Sequence, residues 1–226
     1  MNVTELERIA RESHNGQIRV ENERDYSHGL QDHERMSGVS IMGRRDEIRR
    51  YYPNTPILAA ELGCFVSTVV REMNQIEGIE AFGIDLEPIL DGSQNLSPDR
   101  LIVADLNDMP HIPDESFHYM FSWNCLSYTE PTKSFPEIYR ILAPGGIADL
   151  DLEFWHDRHV KELLGMELHR QGCLMVATSD GKYTGSIQDY AKHIQELAKT
   201  NPREAMFQQM STRFVLTKPY EPRPPQ

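Results

Sequence analysis

A chain of 226 residues, 39% hydrophobic and 26% charged, is long enough for one large α/β domain, and no apolar run in it approaches the roughly 20 residues a membrane-crossing helix requires. Its formal charge of −12 repels phosphate backbones and anionic membranes, so a small-molecule partner is expected rather than nucleic acid or lipid, with oligomeric state left open. Cys64, Cys125 and Cys173 form no CxxC pair and are read as reduced thiols, and a start with neither the layout of a secretory signal nor that of a transit peptide makes cytoplasmic residence the default.

Residues 1–52 are polar, with helix-like stretches at Thr4–Glu12 and Arg44–Tyr52, and are expected to form a helical cap or lid segment. The Arg44-Arg45 and Arg49-Arg50 pairs within it are expected on a solvated helix face. From Pro56 short apolar runs alternate with helical segments, the pattern of parallel strands joined by crossover helices, so residues 53–219 are expected to be one doubly wound α/β domain, followed by a flexible tail at 220–226.

In chain order the strands fall at Pro56–Leu62, Glu80–Asp85, Leu101–Val103, Phe117–Ser122 and Ile147–Glu153, with helices at Ser67–Ile76 and Thr132–Leu142. Ala143-Pro144-Gly145-Gly146 is expected to stop the second helix before the fifth strand. Further on, Asp157–Arg170 reads as helix, Cys173–Thr178 as strand, Ile187–Lys199 as helix and Thr212–Lys218 as the last strand. In the fifth strand Asp149, Asp151 and Glu153 alternate with Leu150, Leu152 and Phe154, although a central parallel strand should be apolar on both faces. Exposure is expected for Asp149, while Glu153 stands between exposure and a place in the ligand crevice.

Ligands of such sheets bind outside the carboxyl ends of the strands, where crossovers diverge. After the first strand comes Glu61-Leu62-Gly63-Cys64-Phe65-Val66-Ser67, in which Gly63 either lets backbone approach a ligand or serves an ordinary strand-to-helix turn. Asp85 lies 22 residues after Gly63, the placement of the usual partner of a ribose diol, with capping of a helix as the lesser alternative. The histidines show no HxxxH or HExxH spacing, so no metal site is expected.

Three ordered blocks carry a resemblance: Ala104-Asp105-Leu106-Asn107-Asp108-Met109-Pro110, then Pro113-Asp114-Glu115-Ser116-Phe117-His118, then Glu137-Ile138-Tyr139-Arg140-Ile141-Leu142-Ala143-Pro144-Gly145-Gly146. They resemble the A-D-x-x-x-L-P, P-D-x-S-F-D and R-E-x-x-R-V-L-K-P-G-G blocks of class I S-adenosylmethionine-dependent methyltransferases. The resemblance covers residues 54–154 well and implies a Rossmann-like, mostly parallel seven-stranded sheet with an antiparallel last strand. It implies S-adenosylmethionine as cofactor, leaving as S-adenosylhomocysteine, and places Glu61 at the acidic position of the first motif, with Gly63 and Cys64 lining the methionine part. It further implies that Asp85 binds the ribose diol with Leu86 by the adenine. Asp105 would accept from the adenine amino group with the Leu106 amide nearby, and Ser122 and Trp123 would border the methyl-transfer site.

The family's D-x-G-x-G-x-G loop has glycines where this chain has Phe65 and Ser67. A positive φ at Phe65 would cost about 1–3 kcal/mol, whereas a ring turned into the core would leave binding intact. No catalytic base is identified; Tyr128 is a possible substrate contact. The alternative to an active enzyme is a non-catalytic descendant serving as an interaction module. A nicotinamide-dependent oxidoreductase is disfavoured because G-x-G-x-x-G is missing.

Overall fold

The computed structural model describes all residues except 16–17, 22–28, 92–95, 124, 152–161, 164, 179–183, 211 and 221–226. Helix α1 (Val3–His14) starts where the Asn2 side chain accepts from the Glu5 amide, and it buries Leu6, Ile9 and Ala10 along one face. Strand β1 (Arg19–Glu21), helix α2 (Leu30–Ser37) and helix α3 (Ile41–Ile48) complete the N-terminal part. Then follow β2 (Ile57–Leu62), α4 (Thr68–Met73), β3 (Ile79–Asp85), β4 (Ile89–Asp91), β5 (Leu101–Val103), β6 (Phe117–Ser122), α5 (Pro131–Ile141) and β7 (Leu142–Asp151). The C-terminal part has α6 (Glu167–Arg170), β8 (Leu174–Thr178), β9 (Thr184–Gly185), α7 (Ile187–Thr200), α8 (Pro202–Met210) and β10 (Thr212–Thr217).

The main sheet has the order β5-β3-β2-β6-β7-β10-β8-β9. Strands β5 to β7 run parallel; β10 is antiparallel to both β7 and β8. The sequence therefore anticipated the mostly parallel α/β sheet and its antiparallel final strand, and the two-residue β9 adds an edge beyond the seven strands expected. All six residues of β2 are buried because both faces of this central strand are covered, which explains its uninterrupted apolar run. On one face lie Leu58, Ala60 and Leu62 with Leu6 and Ile9 of α1, and on the other Ile57 and Ala59 with Ile41 and Ile48 of α3. The N-terminal helices are thus built into both cores. Among the described residues no helix is long and apolar enough to cross a membrane.

Several expectations need correcting. Asp149 is buried, not exposed: the Arg44 guanidinium grips it with Nε and Nη2, each 2.8 Å from one carboxylate oxygen, and the Tyr119 hydroxyl stands 3.3 Å from it. Arg44 accordingly faces the sheet rather than solvent, and burial's penalty on its charge is more than offset by the hydrogen bonds to Asp149. Residues 142–146 run as the start of β7 with a register irregularity against β6, instead of forming a separate stop turn. There Gly145 has φ 76, and an added Cβ would stand 3.0 Å from the Tyr51 ring and 3.1 Å from that of Tyr220.

Strands β1 and β4, which pair in parallel as a separate two-stranded sheet, and helices α2 and α8 had no sequence expectation. Glu153, Phe154, His156, His159, Asn124, the start of the helix expected from Asp157, part of the Asp180–Ser186 segment and the tail beyond Tyr220 lie outside the described residues.

Candidate functional site

The carboxyl ends of β2, β3, β5 and β6 bring together the loops that hold the sequence-derived site residues. At the end of β2, Glu61 is buried, and its Oε2 has no hydrogen-bond partner. Burial pushes this carboxyl well above the usual range, the Asp85 charge adds to the effect, and the Val70 amide opposes it. An orphaned, buried carboxylate oxygen is costly unless a ligand donor meets it.

Gly63 takes φ 74, and its amide donates to the Ile84 carbonyl at 2.7 Å. Cys125, in the loop after β6, packs directly on it: an added Cβ on Gly63 would overlap the Cys125 Cβ at 2.2 Å. The Cys125 thiol donates to the Leu62 carbonyl at 3.0 Å. Cys64 turns the other way, its Sγ 2.5 Å from where a Gly83 Cβ would stand. Burial pushes both thiols up, so neither is a nucleophile at neutral pH. The contact of Cys125 with Gly63 had no signal in the sequence, because it depends on how β2 and β6 pair.

Phe65 settles its own question. Its φ is 32 and the residue is 55% exposed, so the ring does not turn into the core. Its amide donates to Asp85 Oδ2 at 3.0 Å, and its carbonyl accepts from Ile89 at 2.6 Å. Asp85 Oδ1 accepts from the Glu87 amide, also at 3.0 Å. The loops after β2 and β3 are therefore latched together, and Asp85 acts within its own loop as a turn acceptor rather than as a helix cap. A carboxylate offers about four acceptor positions, so among the described residues two remain, the number a vicinal diol needs.

Leu86 beside it is 63% exposed. Asp105 is exposed, with Oδ1 accepting from the amide and side-chain nitrogen of Asn107, and Leu106 is buried. Ser122 is buried and exchanges hydrogen bonds with Asp151, and Trp123 is half-buried at the end of β6. Tyr128, in a single 3-10 turn after Cys125, is 84% exposed. Among the described residues no group of three or more His, Cys, Asp or Glu side chains is placed to hold a metal ion.

Residues 60–148, from the middle of β2 to the middle of β7, match the family model described as a methyltransferase domain. Over residues 60–148 the chain is thus similar to a methyltransferase domain. No curated protein matches the chain. Many solved structures do, at low identity. A TehB-like S-adenosylmethionine-dependent methyltransferase from Corynebacterium glutamicum is 16% identical, with a TM-score of 0.46 over 83% of this chain and 94% of that one. A sarcosine dimethylglycine methyltransferase, so described for Galdieria sulphuraria, is 13% identical, with a TM-score of 0.42 over 95% and 98%. The Haemonchus contortus phospholethanolamine N-methyltransferase 2 is 15% identical, with a TM-score of 0.41 over 80% of this chain, which spans 53% of that enzyme's length.

Proposed function

We propose that this chain is an S-adenosylmethionine-dependent methyltransferase acting on a small molecule. What supports this is that Glu61, Asp85 and Asp105 stand at or just beyond the carboxyl ends of three neighbouring parallel strands, β2, β3 and β5, with the Glu61 Oε2 buried and without a hydrogen-bond partner. The residues fit a nucleoside bearing an amino acid. Two acceptor positions on Asp85 suit the ribose diol, Asp105 suits the adenine amino group with Leu86 against the ring, and Glu61 suits the α-ammonium. Cys125 fills the cradle over Gly63 and is the group that must give way to the methionine chain.

The bound cofactor supplies an electrophilic methyl group on a sulfonium. The chain's part is to align an acceptor atom behind that methyl and exclude water. Ser122 and Trp123 lie at the right strand end to border the acceptor, and the exposed Tyr128 ring offers it a stacking or hydrogen-bonding face. No side chain is assigned as a base. The negative charge of the whole chain favours a small acceptor over nucleic acid.

Calorimetric titration with S-adenosylmethionine and S-adenosylhomocysteine tests this reading. Micromolar binding is expected, weakened about 10- to 100-fold in Asp85→Ala, because about 1.5–3 kcal/mol of charge-assisted hydrogen bonding is removed. Absence of binding by the folded wild-type protein would overturn the proposal and favour a non-catalytic interaction module.

Phe65 gives a second prediction. Phe65→Gly relieves about 1–3 kcal/mol of backbone strain and lets the loop approach the ligand, so the cofactor is expected to bind about 10- to 100-fold more tightly. Unchanged affinity would mean that the ring stands clear of the ligand and that the loop keeps its conformation on binding.

A further inference from the structure

Strand β1 is tied, through β4, to the loop that carries Gly63, Phe65 and Ser67. Val66 bridges Ile89 in parallel, with the Ile89 amide donating to the Phe65 carbonyl at 2.6 Å and the Ser67 amide to the Ile89 carbonyl at 3.3 Å. Ile89 opens β4, which pairs in parallel with β1 in the register Arg19 to Ile89, Val20 to Leu90 and Glu21 to Asp91. The loop thus lies along one edge of β4, and a strand of the N-terminal part lies along the other. That part is fastened nearby as well: the Leu30 amide donates to Glu72 Oε2 at 2.6 Å, on the helix α4 that follows the loop, and Ile18 and Leu30 pack on the apolar cluster containing Cys64, Val69 and Leu90.

What this ribbon holds is a strained turn. Phe65 sits at φ 32, a conformation that persists only where its surroundings over-determine it, and here Asp85 takes its amide while Ile89 takes its carbonyl. Successive residues of a strand turn their N–H and C=O to opposite edges. Ile89 turns both to the loop, so Leu90 turns both to β1, where it stands opposite Val20. A residue in a parallel pair bonds the two neighbours of its partner, so the Leu90 carbonyl accepts from the Glu21 amide, and the Val20 amide points away from β4. One backbone donor, that of Glu21, therefore closes β1 on the ribbon beside the loop.

We propose that residues 19–21 are a positioning strap for the cofactor loop: pairing of β1 with β4 holds Phe65 to Ser67 in the shape that receives S-adenosylmethionine, and the ligand in turn tightens the pairing. The strap deepens the cofactor reading of the loop and rests on it. The coupling is reciprocal, because strap and ligand bias the same backbone element. It gives the N-terminal part a role in cofactor affinity besides the packing of α1 and α3.

Amide hydrogen exchange of the full chain, followed by NMR, reads the strap with no ligand present. Glu21→Pro removes the bonding amide, Val20→Pro removes one that points away, and Glu21→Ala keeps the amide while shortening the side chain. The residues of β1 belong to neither apolar core, so all three variants are expected to fold and melt as the wild type does. Glu21→Pro is expected to speed exchange at Ile89 and Ser67 about tenfold or more and to weaken S-adenosylhomocysteine about tenfold in calorimetric titration, with both controls unchanged. In the wild type, saturating S-adenosylhomocysteine is expected to slow exchange of the Glu21 amide, a change that needs no variant and that a strand serving only to pack would not show. Unchanged exchange at Ile89 and Ser67, equal effects in Val20→Pro, faster exchange with unchanged affinity, or no slowing at Glu21 on binding would overturn the strap. A wild-type protein that binds no S-adenosylhomocysteine would instead sink the cofactor reading, and exchange in the unliganded variants would still decide whether β1 holds the loop.

Discussion

Glu61→Gln is expected to weaken S-adenosylmethionine about 30- to 1,000-fold, since losing one partner of a desolvated charge pair costs about 2–4 kcal/mol, while the same substitution raises the melting temperature of the protein without ligand. The two effects share one cause. Glu61 is buried beside Asp85 with an unpaired oxygen, and its folded pKa is raised above the unfolded value near 4.5. A carboxyl raised on folding contributes its stability below the unfolded pKa and loses it as pH rises toward the folded one. The melting-temperature advantage of Glu61→Gln should therefore be small at pH 4 and grow through neutral pH.

A proton follows from the same argument. When the α-ammonium of the ligand meets Glu61, the carboxyl ionises, so binding should release a proton and tighten as pH rises. Titrations in two buffers of different ionisation enthalpy measure that release, and the difference between buffers should vanish in Glu61→Gln. A variant that binds as well as wild type would show that Glu61 serves packing alone.

The sheet was legible in the sequence because a buried parallel strand writes itself as an apolar run bounded by turns. Leu101–Val103 and Phe117–Ser122 matched residue for residue, and Ile57–Leu62 to within one. The N-terminal part was less legible. Arg19–Glu21 and Ile89–Asp91 are three-residue strands that pair with one another, and nothing local in either segment signals the partner. The residues proposed to hold the cofactor could be named one by one from their places after each strand. Their relations could not: the latch from the Phe65 amide to Asp85 and the seating of Cys125 on Gly63 join segments 20 or more residues apart. Gly145 makes the same point. Its Pro-Gly-Gly context reads as a turn, whereas the structure uses its missing side chain to let Tyr51 and Tyr220 stack.

Arg44→Met is expected to destabilise the fold by about 3–5 kcal/mol in chemical denaturation, the usual result of stranding one member of a buried ion pair. In a polar N-terminal segment the arginine pairs suggested a solvated face, and Asp149 in a central strand suggested exposure. Each is instead the other's partner: the Asp149 side chain is 3% exposed, that of Arg44 is 18% exposed, and 105 residues of chain separate them. The pair pins α3 to the middle of the sheet, with Glu47 supporting Arg44 from the same helix and Tyr119 bonding Asp149 from β6. Removing both charges together, in Arg44→Met with Asp149→Leu, should recover most of the loss, because well-packed apolar groups replace buried ion pairs at little cost. The recovery will be incomplete, since the Tyr119 hydroxyl and the Arg213 guanidinium, 3.8 Å from Asp149, would lose their shared acceptor. A loss below about 1 kcal/mol for Arg44→Met alone is what a solvated pair would give, and it would mean that apolar packing of Ile41 and Ile48 alone anchors α3.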